Sequence, residues 1–170
     1  MSGEIKGYRN QSVPSQQRFI TGSRMVLSGF LAVAVASLVD LPAWVAVLGA
    51  TAYFARGSSL RAGSYNLACT VTGLGLGFVV QAVIAKWPLE LTLLSLPLAL
   101  LFSAVGAWAM GLVTGISNIA SYAIGILIAF AAPLPISLDS YFLLIAASAV
   151  GAISAGLADY FWPGRSAISC

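Results

Sequence analysis

Histidine is absent from this 170-residue sequence, and cysteine occurs twice, as Cys69 and Cys170. The first absence removes the imidazole that most often serves as acid or base near neutral pH. Together with the shortage of thiols it excludes a metal centre built from His and Cys ligands. Cys69 lies in an apolar run and Cys170 ends the sequence, so no disulfide framework is indicated. Nor is the tail a prenylation signal, because Ala167 stands where that motif has its Cys. Charge is scarce too: Asp, Glu, Lys and Arg make up 8% of the chain, against about 25% in a soluble domain. Paired buried carboxylates, a nucleophile elbow and a P-loop are all missing. "GLGLG" (73–77) is not a dinucleotide fingerprint, since it lies in an apolar run with no strand before it. No catalytic, cofactor-binding or metal-ligating residue is therefore assigned, and the protein is not expected to be an enzyme.

What the sequence has instead is apolar mass. Hydrophobic residues make up 59% and the mean hydropathy is +0.95. So small a chain cannot hide that much apolar surface inside a water-soluble globule, which predicts an all-α polytopic membrane protein surrounded by lipid. Residues 1–18 are polar and contain Pro14, and read as a flexible cytoplasmic tail. Six apolar runs follow, at about 20–39, 42–58, 63–85, 89–111, 114–132 and 139–162, separated by the Pro-containing breaks "DLP", "KWPLE" and "PLPISLDS". Residues 19–163 thus form a six-helix transmembrane domain and 164–170 a short cytoplasmic C-terminus. A rival reading takes residues 18–37 as a signal sequence with Ala34-Val35-Ala36 as its cleavage site.

The basic residues orient the set. With the N-terminus inside, Lys6, Arg9, Arg18, Arg24, Arg56, Arg61 and Arg165 fall on the cytoplasmic side and Lys86 alone falls outside. The net charge of +3 follows from this topology and calls for no nucleic-acid partner. Trp44, Trp87 and Trp162 lie near predicted helix ends, where aromatic residues meet the headgroups.

Two segment pairs resemble each other. "NLACTVTGLGLGF" (66–78) matches "NIASYAIGILIAF" (118–130) at Asn, Ala, Gly and Phe. "SAVGAWAMGL" (103–112) and "SAVGAISAGL" (148–157) share seven of ten positions. Internal repetition and a shared need for small packing residues both account for such matches. As repetition, they predict two-helix hairpins copied in parallel, three of them around a central axis along the membrane normal. The small residues mark packing faces: Ser103, Ala107 and Gly111 in the fourth helix, Ser148, Ala152 and Gly156 in the sixth, Gly73 and Gly77 in the third. In lipid, close backbone approach is what holds helices together.

Neutral polar groups supply the candidate pore or polar lining: Asn66, Asn118, Thr70, Ser121, Tyr122 and Tyr53, with Trp108 as a deeper aromatic. Asp159, the one acid on the basic side, completes the set, with Arg165 as its expected partner. The alternative for the two Asn residues is capping or bonding between helices.

Residues 41–63, "LPAWVAVLGATAYFARGSSLRAG", carry a resemblance. Trp44, Leu48, Gly49, Thr51, Ala52, Tyr53, Phe54, Ala55, Gly57 and Gly63 resemble the pattern of small bacterial inner-membrane proteins grouped as domain-of-unknown-function family 1097. That resemblance implies a multi-pass inner-membrane protein and brings no activity with it. In architecture alone, three repeated hairpins are also similar to small six-helix urea and amide channels. The expected function is a passive channel or facilitator for a small neutral or weakly polar solute. A structural or accessory subunit of a membrane complex or homo-oligomer is the alternative, and a small secondary transporter the third reading. The lipid bilayer, like copies of the chain and a small-molecule solute are the expected partners.

Overall fold

The computed structural model describes residues 15–55, 59–86, 92–114 and 118–161. These form six helices: α1 (Ser15–Leu38), α2 (Ala43–Phe54), α3 (Leu60–Ala85), α4 (Thr92–Thr114), α5 (Ile119–Ala131) and α6 (Leu138–Phe161). No strand occurs among the described residues. Each helix falls on one of the six apolar runs. Most of the expected tail, the 56–58 turn with Arg56, and Trp87, Trp162 and Arg165 lie outside the described residues.

Two helices, Leu60–Ala85 and Leu138–Phe161, are long and apolar enough to cross a membrane. The bundle's surface agrees with a membrane protein. Val26, Phe30, Leu38, Leu101, Phe102, Ile153 and Phe161 are exposed, while the interior is largely Ala, Gly and Ser. Water would penalise that inversion of a soluble protein; hydrocarbon does not.

α2 and α5 stand apart by length. Their 12 and 13 residues rise about 18–20 Å at ~1.5 Å per residue, well short of ~30 Å of hydrocarbon. Pro42 immediately precedes α2, where no backbone N–H is needed. α5 ends at Ala131, before Ala132 turns extended and Pro133 forbids continuation.

Packing does not follow chain order. α3 lies most extensively along α5, and α2 along α6, each pair running parallel. α1 covers α6 and α2, and α4 lies against α3 and, less, α5. In a ring of three hairpins each helix would flank its neighbours in sequence. Here α5 and α6, consecutive in the chain, scarcely touch among the described residues. The ring expected from the sequence is therefore not the arrangement found. The reason lies in the small residues, which draw helices of the same direction together. A Cβ placed on Gly49 would strike the Ser148 carbonyl, and one on Gly151 the Ala46 carbonyl. In the other pair, a Cβ on Gly125 would strike the Thr70 carbonyl and one on Gly73 the Tyr122 carbonyl. Both contacts are thus built to one plan. Gly49 and Ser148 of α2·α6 correspond to Gly125 and Thr70 of α5·α3, and Gly151 and Ala46 to Gly73 and Tyr122.

This also explains the likeness of 66–78 and 118–130. The two segments face each other, parallel and level, so each needs small residues at the same heights. Contact does not explain the likeness of 103–112 to 148–157, because α4 and α6 are not substantial neighbours among the described residues.

Candidate functional site

Asn66 sits at the centre of the best-connected polar cluster. Lying in the second turn of α3, it is wholly buried. Its Nδ2 donates to the Tyr53 carbonyl at 3.1 Å, one of the last carbonyls of α2 and hence without a partner inside its own helix. Its Oδ1 accepts from Asn118 Nδ2 at 2.6 Å. Asn118 immediately precedes α5, and its Nδ2 also lies 2.8 Å from Ser121 Oγ. Thr70 Oγ1 donates to the Asn66 carbonyl at 3.0 Å, one helical turn away. One amide thus ties the end of one short helix to the start of the other. The α2 end contributes partial negative charge and the α5 start partial positive charge. With Asn66 and Ser121 at 0% exposure, Thr70 at 1% and Asn118 at 7%, the cluster is closed and satisfied.

The opposite end of the same frame is nearly dry. Val45 and Leu144, both fully buried, hold the places there that Ser121 and Asn66 hold in the cluster, with Pro42 in the place of Asn118. Among the described residues two side-chain hydrogen bonds join helices near that end: Gln81 Nε2 of α3 donates to the Ala129 carbonyl near the end of α5 at 2.8 Å, and Tyr141 Oη of α6 donates to the Val71 carbonyl of α3 at 3.3 Å.

Residues 23–161 match the family described as "Protein of unknown function (DUF1097)". The chain belongs to the DUF1097 family. No curated protein and no solved structure matches it. In this DUF1097 protein, Gly49, Tyr53 and Gly63, quoted above for the family pattern, have physical roles. Gly49 admits α6, and Gly63 lies against the Tyr53 ring, which its own Cβ would strike. Among the described residues of the DUF1097 chain no group of His, Cys, Asp or Glu is placed to hold a metal.

The remaining sequence-selected residues separate clearly. Tyr122 is buried in the α3·α5 contact, opposite Gly73, and Gly77 faces Ala129 there. Ser148 and Ala152 are buried in α6, and Gly156 lies beside the Tyr53 ring. Ser103 and Ala107 face inward on α4. Trp108, which the sequence left open between lining a constriction and packing against lipid or bundle, is 60% exposed and points out of the bundle. Ala107 already occupies the inward face, and the next residue lies about 100° round the helix. Gly111 was expected to continue the Ser103–Ala107 face but has open space where its Cβ would be. Each step of four residues turns that face by about 40°, and by Gly111 it has left the contact.

Asp159 pairs with Arg24 of α1, the two side chains being 15% and 8% exposed; its expected partner Arg165 lies outside the described residues. Sequence reasoning counted Arg24 merely among the interfacial charges. A signal for its burial was present. Arg24, Ser28, Ala32 and Ala36 are spaced by four, and all four are buried on one face of α1.

Proposed function

We propose that this protein is a small secondary transporter of the inner membrane, carrying a small neutral solute that both donates and accepts hydrogen bonds. One observation carries the reading: Asn66 joins the ends of two short helices that hold equivalent places in two three-helix units, α1–α3 and α4–α6. With six crossings, units of three are threaded in opposite senses. Short helices at corresponding positions of such inverted units mark the solute site in carriers of this kind. The helix ends meeting at Asn66 have opposite partial charge and, among the described residues, no ionisable side chain joins the cluster, which suits a neutral dipolar solute better than an ion. A closed cluster at one end and an apolar plug at the other also suit alternating access better than the open channel expected from sequence. In this reading Arg24 and Arg61 lie on the cytoplasmic side.

Purified protein in liposomes provides the test, with radiolabelled urea, acetamide and glycerol as probes. A carrier gives saturable uptake of at least one probe, accelerated by unlabelled probe on the far side of the membrane. Uptake that never saturates and shows no acceleration would restore the channel. Uptake equal to that of empty vesicles for every probe would favour the non-transporting subunit.

A further inference from the structure

A cleft of about 390 Å³ opens between the start of α3 and the end of α6. That size lies within the ~300–1,000 Å³ of small-molecule sites. Leu60, Leu67, Ile153 and Leu157 line its sides, and the Tyr53 ring lies at the level of Gly63 and Gly156. A Cβ on Gly63 would collide with the Tyr53 ring, so glycine makes the room.

Two facts identify an occupant. First, the mouth belongs to the apolar outer surface, since Leu60, Ile153, Leu157 and Tyr160 are all exposed. An apolar slot that opens on hydrocarbon is filled by hydrocarbon rather than by water. Second, the Tyr53 hydroxyl is buried and has no hydrogen-bond partner among the described residues, and the same holds for Arg24 Nε. A buried donor without an acceptor is costly, and an oxygen supplied by a ligand in the cleft would satisfy the Tyr53 hydroxyl.

The two parts lie in the order an amphiphile requires. From Tyr53, level with Gly63 and Gly156, the walls run through Leu67, Ala152 and Ile153 toward the middle of both helices. Arg61, exposed in the first turn of α3, follows the lining residue Leu60 in sequence, and positive charge at this helix N-terminus favours an anionic head. We infer that the cleft is a binding site for one acyl chain of an anionic glycerophospholipid, whose ester oxygen accepts from Tyr53 Oη. The inference does not depend on transport. It does connect lipid to the amide cluster, because the Tyr53 backbone carbonyl holds Asn66.

Native mass spectrometry of the full-length protein tests it, after release from detergent containing dioleoyl-phosphatidylglycerol. A Cβ on Gly156 meets its neighbours at 3.5 Å or more, so Gly156→Val and Gly156→Leu fill the cleft without displacing backbone. Wild type should retain one lipid per chain. Gly156→Leu should lower retention about tenfold, with Gly156→Val lying between. Tyr53→Phe should lower it about threefold, the effect of one neutral hydrogen bond. Gly111→Leu, on open surface, should leave it unchanged. Retention equal in Gly156→Leu, Gly156→Val and wild type would mean adventitious lipid only and overturn the site. So would equal retention of dioleoyl-phosphatidylcholine, which would remove the anionic head, or a dimer lost in place of a lipid, which would make the occupant a second copy.

Discussion

The two ends of the short-helix frame are built alike in backbone and unlike in chemistry. At one end Asn66, Asn118 and Ser121 form a buried hydrogen-bonded cluster; at the other, Val45 and Leu144 fill the equivalent space with hydrocarbon. Equivalent glycines set the approach of the helices at both. Packing requirements therefore fix the frame, and side-chain polarity is free to differ between the ends. The Arg24–Asp159 pair adds to the contrast: it lies at the polar end, and no other ion pair occurs among the described residues.

Breaking that ion pair should have the largest effect. Asp159→Leu leaves the Arg24 guanidinium buried without its counter-charge, and stability in detergent should fall by about 3–5 kcal/mol. Adding Arg24→Met should recover most of the loss, whereas Asp139→Leu, exposed at the far end, should barely move the thermal midpoint. The glycine contacts come next. Gly151→Ala and Gly73→Ala both push a methyl into a facing backbone carbonyl and should cost about 2–3 kcal/mol each. Equal losses would confirm that the contacts are equivalent; a difference of several-fold would break the comparison.

The amide cluster should be worth less. Asn118→Leu leaves Asn66 Oδ1 without its donor and should cost about 1–2 kcal/mol. Asn66→Leu with Asn118→Leu, which removes both amides, should cost less than the two single losses added together. It should also abolish solute uptake while the protein stays folded. Smallest of all is Trp108→Leu, outside the bundle, which should shift stability by no more than about 0.5 kcal/mol and leave uptake unchanged.

Much of the fold was legible in the sequence. The Pro breaks and apolar runs place six helices, and the small residues of α3 and α6 lie in tight contacts. Neighbourhood was not legible. The match of 66–78 to 118–130 suits a copied hairpin as well as two facing helices, and the glycine contacts and the Asn66–Asn118 bond show the two segments facing. Part of the site was legible: Asn66, Asn118, Thr70 and Ser121 were selected as uncharged polar residues in apolar surroundings, and the structure brings them together. Arg24 was missed because a charge near a predicted span end reads as interfacial, although its spacing with Ser28, Ala32 and Ala36 points inward. The sequence left Trp108 open between lining and packing, because depth along a helix says nothing about which way a residue faces.

The central claim is that α3 with α5, and α2 with α6, form equivalent parallel contacts. Cross-linking by a short bifunctional thiol reagent tests it most directly, in a Cys69→Ala, Cys170→Ser background. Paired cysteines at Asn66 and Ser121, and separately at Leu144 and Val45, should both link efficiently within one chain, while a mixed pair at Asn66 and Leu144 should not. Failure of either matched pair, or equal linking of the mixed one, would contradict the account.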